Sequence, residues 1–204
     1  MAIDRRVLRT RTALFDALVA LIRRADYEAI TIEDILVEAN VGRATFYAHF
    51  TSKDDLLRRS LDRLRQLLLA VRDPARPSPF AVAPGWSPSR ALFEHVGEFA
   101  DIRAALAGGR GAPVLRGAID DVVAGVLREI LPGEAVDGIP RELAILHVVS
   151  TVNTVLRWWL EHRPAMSAAE ADRLFARLAF ASLPESFCAA FCTPPEQGGA
   201  AWRR

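Results

Sequence analysis

Thr31-Ile32-Glu33-Asp34-Ile35-Leu36-Val37-Glu38-Ala39-Asn40-Val41-Gly42-Arg43-Ala44-Thr45-Phe46-Tyr47-Ala48-His49-Phe50 is the stretch on which the fold of this chain turns. Thr31 stands where an N-cap is wanted, and Asp34 three residues on completes a capping box. Ile30 and Ile35 bracket that box as a hydrophobic staple. The spacing predicts a short helix from Ile32 to about Glu38. Asn40 tolerates the left-handed conformation that ends a helix abruptly, and Gly42 is a permissible cap for the next one. That next helix, Arg43 to about Ala48, is too short to stand alone in water. Val41, Phe46 and Phe50 must hold it by packing.

Upstream, Val7, Leu14, Leu18, Leu21 and Ile22 recur at helical spacing with Arg11, Arg23 and Arg24 off the stripe, which predicts a first amphipathic helix ending near Asp26. Downstream, Ser52 and Asp55 form a second capping box. It opens a long helix whose apolar positions run from Leu56 and Leu57 through Leu61, Leu64 and Leu68 to Val71. Pro74, Pro77, Pro79, Pro84 and Pro88 then forbid any continuous helix. Helical patterns return over about 89–107, 114–131, 140–162 and 168–182, and no stretch shows the alternation of a strand. The expected class is all-α with about nine helices. A three-helix helix-turn-helix domain over 1–55 is expected, with its connecting helix reaching about 72, followed by a helical domain over 73–204.

The 204 residues are 51% hydrophobic and 25% charged, the balance of a soluble globular chain, and the net charge of +1 leaves attraction for any polyanion to local patches. Arg5, Arg6, Arg9 and Arg11 lead into no apolar core and cleavage site, so no secretory signal is expected. Leu143–Leu160 is interrupted by His147, Ser150, Thr151, Asn153, Thr154 and Arg157, so no membrane span is expected either. With only Cys188 and Cys192 present, no disulfide framework supports the fold, which suits a cytoplasmic protein. These thiols, four apart, read as inert buried groups or as an oxidant sensor, and no metal site or cofactor is expected. No nucleophile elbow, phosphate loop, dinucleotide fingerprint or His-Glu metal motif occurs, so the chain is not read as an enzyme.

Two short helices joined by a tight turn, the second carrying small and polar side chains, make a helix-turn-helix able to enter a DNA major groove. Gly42, Ala44 and Ala48 keep the reading helix slim. Arg43 and Thr45 suit base edges, since arginine can donate twice to guanine and threonine can meet a base or a thymine methyl. Tyr47 and His49 suit phosphate oxygens, as does Lys53, the sole lysine, in the first turn of the following helix. Thr31 is a further phosphate candidate.

The segments Thr31–Ile35, Ala39–Phe50 and Ser52-Lys53-Asp54-Asp55-Leu56 resemble the signature of the TetR family of bacterial regulators. Asn40 stands where that family usually has glycine, and Gly42 where serine or threonine is common. The resemblance implies a homodimeric, sequence-specific transcriptional regulator on double-stranded DNA. It implies a repressor released from a palindromic operator by a small-molecule effector bound in the C-terminal domain. An alternative is a coregulator of the same fold that binds a protein partner.

Leu156-Arg157-Trp158-Trp159-Leu160-Glu161 with Ser167-Ala168-Ala169-Glu170 is similar to the C-terminal region of one branch of that family. This implies a dimer seam over 140–162 and 168–182, with Val152, Leu156, Trp159, Leu174 and Leu178 as interface positions. Independently, the 140–162 helix is apolar on nearly every side, so homodimerisation is its simplest account. His147, Thr151 and Thr154 form a polar line at i, i+4 and i+7, which either orients a small ligand or is satisfied by the helix itself. Phe93 and Trp86 are large aromatics that serve either packing or ligand contact.

Overall fold

The computed structural model describes residues 5–72, 87–107, 109–131, 133, 135–136, 138–162, 165–179, 181 and 183. Trp86, Cys188 and Cys192 lie outside the described residues. Within them the chain is all-α but for one minimal hairpin.

Local chemistry fixes the element ends. The Thr31 hydroxyl accepts the Asp34 amide at 3.2 Å, while the Asp34 carboxylate accepts the Thr31 amide at 2.8 Å and hydroxyl at 2.7 Å. This reciprocal cap starts α2 (Ile32–Ala39), which follows α1 (Arg5–Ile22). Asn40 ends α2 in the left-handed region at φ 52°, ψ 48°, and the Val41 amide reaches back to Leu36 O at 3.0 Å. Gly42, in extended conformation, then caps α3 (Arg43–Tyr47) without a side chain.

Ser52 accepts the Asp55 amide at 3.0 Å and opens α4 (Lys53–Ser60), but the Asp55 carboxylate takes the Thr51 amide at 2.9 Å, not that of Ser52. The single long rod expected from Ser52 to Val71 is interrupted at Leu61, so that α5 (Asp62–Arg72) starts afresh. Ser60 supplies a cause: its hydroxyl donates to Leu57 O at 2.6 Å, the back-bonding by which serine bends helices. The segment expected as one helix over 89–107 is likewise two, α6 (Pro88–Glu98) and α7 (Ala100–Leu106). Then follow α8 (Gly111–Ile130), α9 (Arg141–His162) and α10 (Ala168–Ala179). Contrary to the expectation of no strand, β1 (Ala135–Val136) pairs antiparallel with β2 (Ile139–Pro140). Gly138 at φ +80° makes the turn, a conformation glycine adopts without strain.

The chain divides into two compact units. The first comprises Met1–Asp62 with Phe99–Ile119, and the second Arg63–Glu98 with Asp120–Arg204. In the first, Leu14 and Leu18 of α1, Ile35 of α2, Phe46 of α3 and Leu56 of α4 converge on one core, joined by Ile102 and Leu106 of α7. Gly111 permits the close approach at the start of α8, because a Cβ there would fall 2.5 Å from Leu106 and 3.0 Å from Tyr27.

In the second unit Phe93 packs between Trp159 and Phe175, with ring centroids 5.9 and 5.7 Å apart. Gly97 admits the Trp159 ring, whose edge would stand 3.1 Å from a Cβ. α9 is long and apolar enough to cross a membrane by length and composition, yet Ile145, Val148, Val152 and Leu156 on one of its faces are buried inside this unit. It is a core helix here.

His95 of α6 is partly buried, and that burial together with the Arg63 guanidinium lowers its pKa to about 4. A histidine whose folded pKa lies below its unfolded value contributes stability that is lost as pH falls from about 6.5 toward 4. Between pH 7 and pH 5 the wild type should therefore lose about 2 kcal/mol of stability through His95 alone. Thermal melts of wild type and His95→Gln at the two pH values should differ by that increment; parallel melts would remove His95 as the cause.

Candidate nucleic-acid interface

The five residues of α3 are held from beneath. Phe46 is fully buried and Phe50 nearly so, with centroids 5.8 Å apart, and each contributes about 2 kcal/mol by leaving water. With these rings pointing inward, Gly42, Arg43, Ala44, Thr45, Tyr47 and Ala48 are exposed and His49 is half-buried. Tyr47 is 50% exposed while its ring meets that of Phe46 edge to face, with centroids 5.3 Å apart at 85°, so it is both braced and available. Six of the eight expected nucleic-acid positions, Gly42 to Thr45, Tyr47 and His49, thus belong to one short helix and its flanks.

The other two are engaged elsewhere. The Thr31 hydroxyl is part of the α2 cap, accepting from the Asp34 amide, and the hydroxyl and amide of Thr31 both donate to the Asp34 carboxyl and hold it below its usual range. Lys53 is turned toward the loop between α1 and α2. Its ammonium donates to Tyr27 O and, at 2.6 Å, to Ile30 O, and lies 4.3 Å from the centre of the Tyr27 ring. Partial burial lowers the Lys53 pKa, with Asp54 and Glu28 opposing that effect. Tyr27 in turn donates its hydroxyl to Asp54 at 2.6 Å; burial and that carboxylate push the phenol well above its ordinary pKa. Lys53 therefore fastens the start of α4 to the segment that leads into α2.

Several participants were not singled out from the sequence. Arg6, Val7 and Thr10 of α1 share an open groove of about 350 Å³ with Ala44, Thr45, Ala48 and His49. In the sequence Val7 stood only as part of an apolar stripe and Arg6 only as part of a basic run. Glu33 receives a hydrogen bond from the Arg43 guanidinium at 2.7 Å. Arg11 lies 6.0 Å from the Phe50 ring centre and pairs with Asp62 at 2.7 Å.

The positions expected in the C-terminal half fall differently. Val152, Leu156 and Trp159, expected at a dimer seam, are at most 4% exposed and face the core of their own unit. This is a correction, and its reason is that a helix apolar all round does not reveal which side its own domain takes. The outward stripe of α9 is Leu143, Leu146, Ser150, Thr154 and Trp158. On α10, Leu178 is 51% exposed and Leu174 half-buried. Thr151 donates to His147 O at 2.8 Å and Thr154 to Ser150 O at 2.9 Å, while His147 Nε2 meets Ala179 O at 3.0 Å. Phe93 is fully buried among aromatics, and the Trp159 indole N–H donates to Met166 O at 2.8 Å.

Residues 14–59, which carry this geometry, match the family model of bacterial regulatory proteins of the tetR family. Over these helices the chain is similar to the TetR family. YxbF, an HTH-type transcriptional regulator of Bacillus subtilis (strain 168), is 48% identical over 62 residues, 30% of this chain but only 16% of that relative's length. Among solved structures, a TetR transcriptional regulator from Streptococcus agalactiae 2603V is 26% identical, with a TM-score of 0.52. That match covers 84% of this chain and 94% of the other. A TetR-family regulator from Syntrophomonas wolfei str. Goettingen shares the fold at 17% identity, with 81% and 90% coverage and a TM-score of 0.56.

Two substitutions test how this helix-turn-helix head is held. Asn40→Ala should cost about 1 kcal/mol because alanine resists the left-handed region, whereas Asn40→Gly should cost almost nothing. Lys53→Met keeps the stem but strands two carbonyls and should cost about 1 to 2 kcal/mol in urea titrations. Equal stability of Lys53→Met and wild type would show that the carbonyl clamp does not hold the loop.

Proposed function

We propose that this chain is a sequence-specific transcriptional regulator that acts in the cytoplasm as a homodimer on double-stranded DNA. In this reading it is a repressor, released from a palindromic operator by a small-molecule effector. The observation that carries the reading is α3 itself, a slim helix with its aromatics buried beneath and Arg43, Thr45 and Tyr47 exposed above. Arg43 and Thr45 read base edges, while Tyr47 and His49 donate to phosphates on either side. Lys53 spends two of its three N–H donors on loop carbonyls and has one left for a phosphate. Thr31 could serve a phosphate only by giving up part of the cap.

Dimerisation uses the outward stripe of α9, Leu143 to Trp158, together with Leu178 of α10. In the dimer the two reading helices stand about one turn of duplex apart, roughly 34 to 36 Å, so the operator is a palindrome. The effector enters the second unit beside His147 and Thr151, whose bonds to the carbonyls of Ala179 and His147 can be exchanged for bonds to a ligand, while Phe93 stays packed in the core and Thr154 lies on the outward stripe. It releases DNA by preferring a conformer in which the two heads no longer match the groove spacing.

The decisive experiment is binding of the purified protein to the promoter region beside its own gene, measured by fluorescence anisotropy. Affinity should fall steeply between 50 and 200 mM salt, by about tenfold or more, because phosphate contacts release counterions. Arg43→Ala should weaken preference at one base position by about 1 to 3 kcal/mol. No measurable affinity for any duplex would end this reading. Leu146→Glu with Trp158→Glu should yield monomers in sedimentation, and an intact dimer would move the interface elsewhere.

A further inference from the structure

Arg43 opens α3 and Glu33 lies in the first turn of α2, so their bond spans the two helices of the reading head. Arg43 Nη2 donates to Glu33 Oε2 at 2.7 Å, with the two side chains 65% and 63% exposed. An ion pair this exposed does little for folding. It does, however, place a carboxylate beside the arginine best suited to meet DNA.

The two ways in which Arg43 can meet DNA make different demands on that carboxylate. On an arbitrary duplex Arg43 gains by neutralising a phosphate, but while it is paired with Glu33 its charge is already compensated, and if it leaves the pair the carboxylate faces the backbone. On a site with guanine at the right step, the guanidinium can keep its Nη2 bond to Glu33. Its remaining N–H groups are then free for O6 and N7, because it has five donors in a rigid fork and the carboxylate uses one. A carboxylate beside an arginine therefore penalises phosphate contact more than guanine contact.

We propose that Glu33 is a specificity-determining residue: it positions the Arg43 guanidinium for a base edge and suppresses its use as a general phosphate clamp. The inference rests on the DNA-binding reading above. Glu33 need not touch DNA itself. It acts through Arg43.

The test uses wild type, Glu33→Gln, Arg43→Ala and the double variant, all checked for unchanged helical content. Each is titrated against a duplex recovered from a random pool by repeated selection and against a shuffled duplex of equal length, from 50 to 200 mM salt. Glu33→Gln should bind the shuffled duplex roughly 3- to 10-fold more tightly and the selected one within about twofold of wild type, so the ratio between them falls. Its salt slope on the shuffled duplex should steepen by about 0.9, the signature of one more neutralised phosphate. In the Arg43→Ala background the same change should move both duplexes equally and leave their ratio untouched. An unchanged ratio in Glu33→Gln overturns the proposal, as does a fall of the same size without Arg43. If wild type binds neither duplex, or no sequence is enriched from the pool, the DNA-binding reading fails first and this inference falls with it.

Discussion

A helix of five residues has no right to exist in water, since it closes too few backbone hydrogen bonds to repay its own ordering. α3 exists because Phe46 and Phe50 are driven into the core formed by α1, α2 and α4, and everything about the head follows from that burial. Fixing these two rings inward leaves the opposite face to small and polar side chains. It also makes the orientation of the reading helix a property of the whole unit. Asn40 completes the constraint, turning the chain in a single left-handed step so that α2 and α3 have little freedom to change their angle. The DNA-binding reading proposed above calls for this stiffness, because a displaced side chain no longer meets its hydrogen-bonding partner.

The features legible in the sequence were those written in neighbouring residues. The Thr31–Asp34 box, the Asn40 turn, the Gly42 cap and the inward aromatics all depend on spacings of one to four, and each is found where the spacing put it. What escaped depends on approach across the fold. Lys53 could be placed at a helix start, but nothing local said that Tyr27 and Ile30 would present carbonyls to it across more than twenty residues. Glu33 read as one member of a helix-start motif, and only the meeting of α2 and α3 makes it the partner of Arg43. Likewise Arg6 and Thr10 reach the reading face only because the start of α1 runs beside α3.

The second unit shows the complementary failure. α9 has apolar residues on every side, so periodicity carries almost no signal about its inward face, and the residues assigned to a partner proved to belong to the core. Leu61 and Phe99 divide helices whose apolar patterns continue unbroken through them, because a pattern records which side is greasy and not whether the backbone bends. Thr151 and Thr154 of α9 return their hydroxyls to carbonyls of their own helix, which satisfies them without a partner from another element.

The attachment of Lys53 to the loop carbonyls has a practical corollary, since this chain contains no other lysine. Side-chain amine chemistry is concentrated at one atom, and that atom must leave two acceptors before an acylating reagent can capture it. The rate of acylation at Lys53 therefore reports how readily its amine gives up the Tyr27 and Ile30 carbonyls. A single side chain serves as both fastener and gauge.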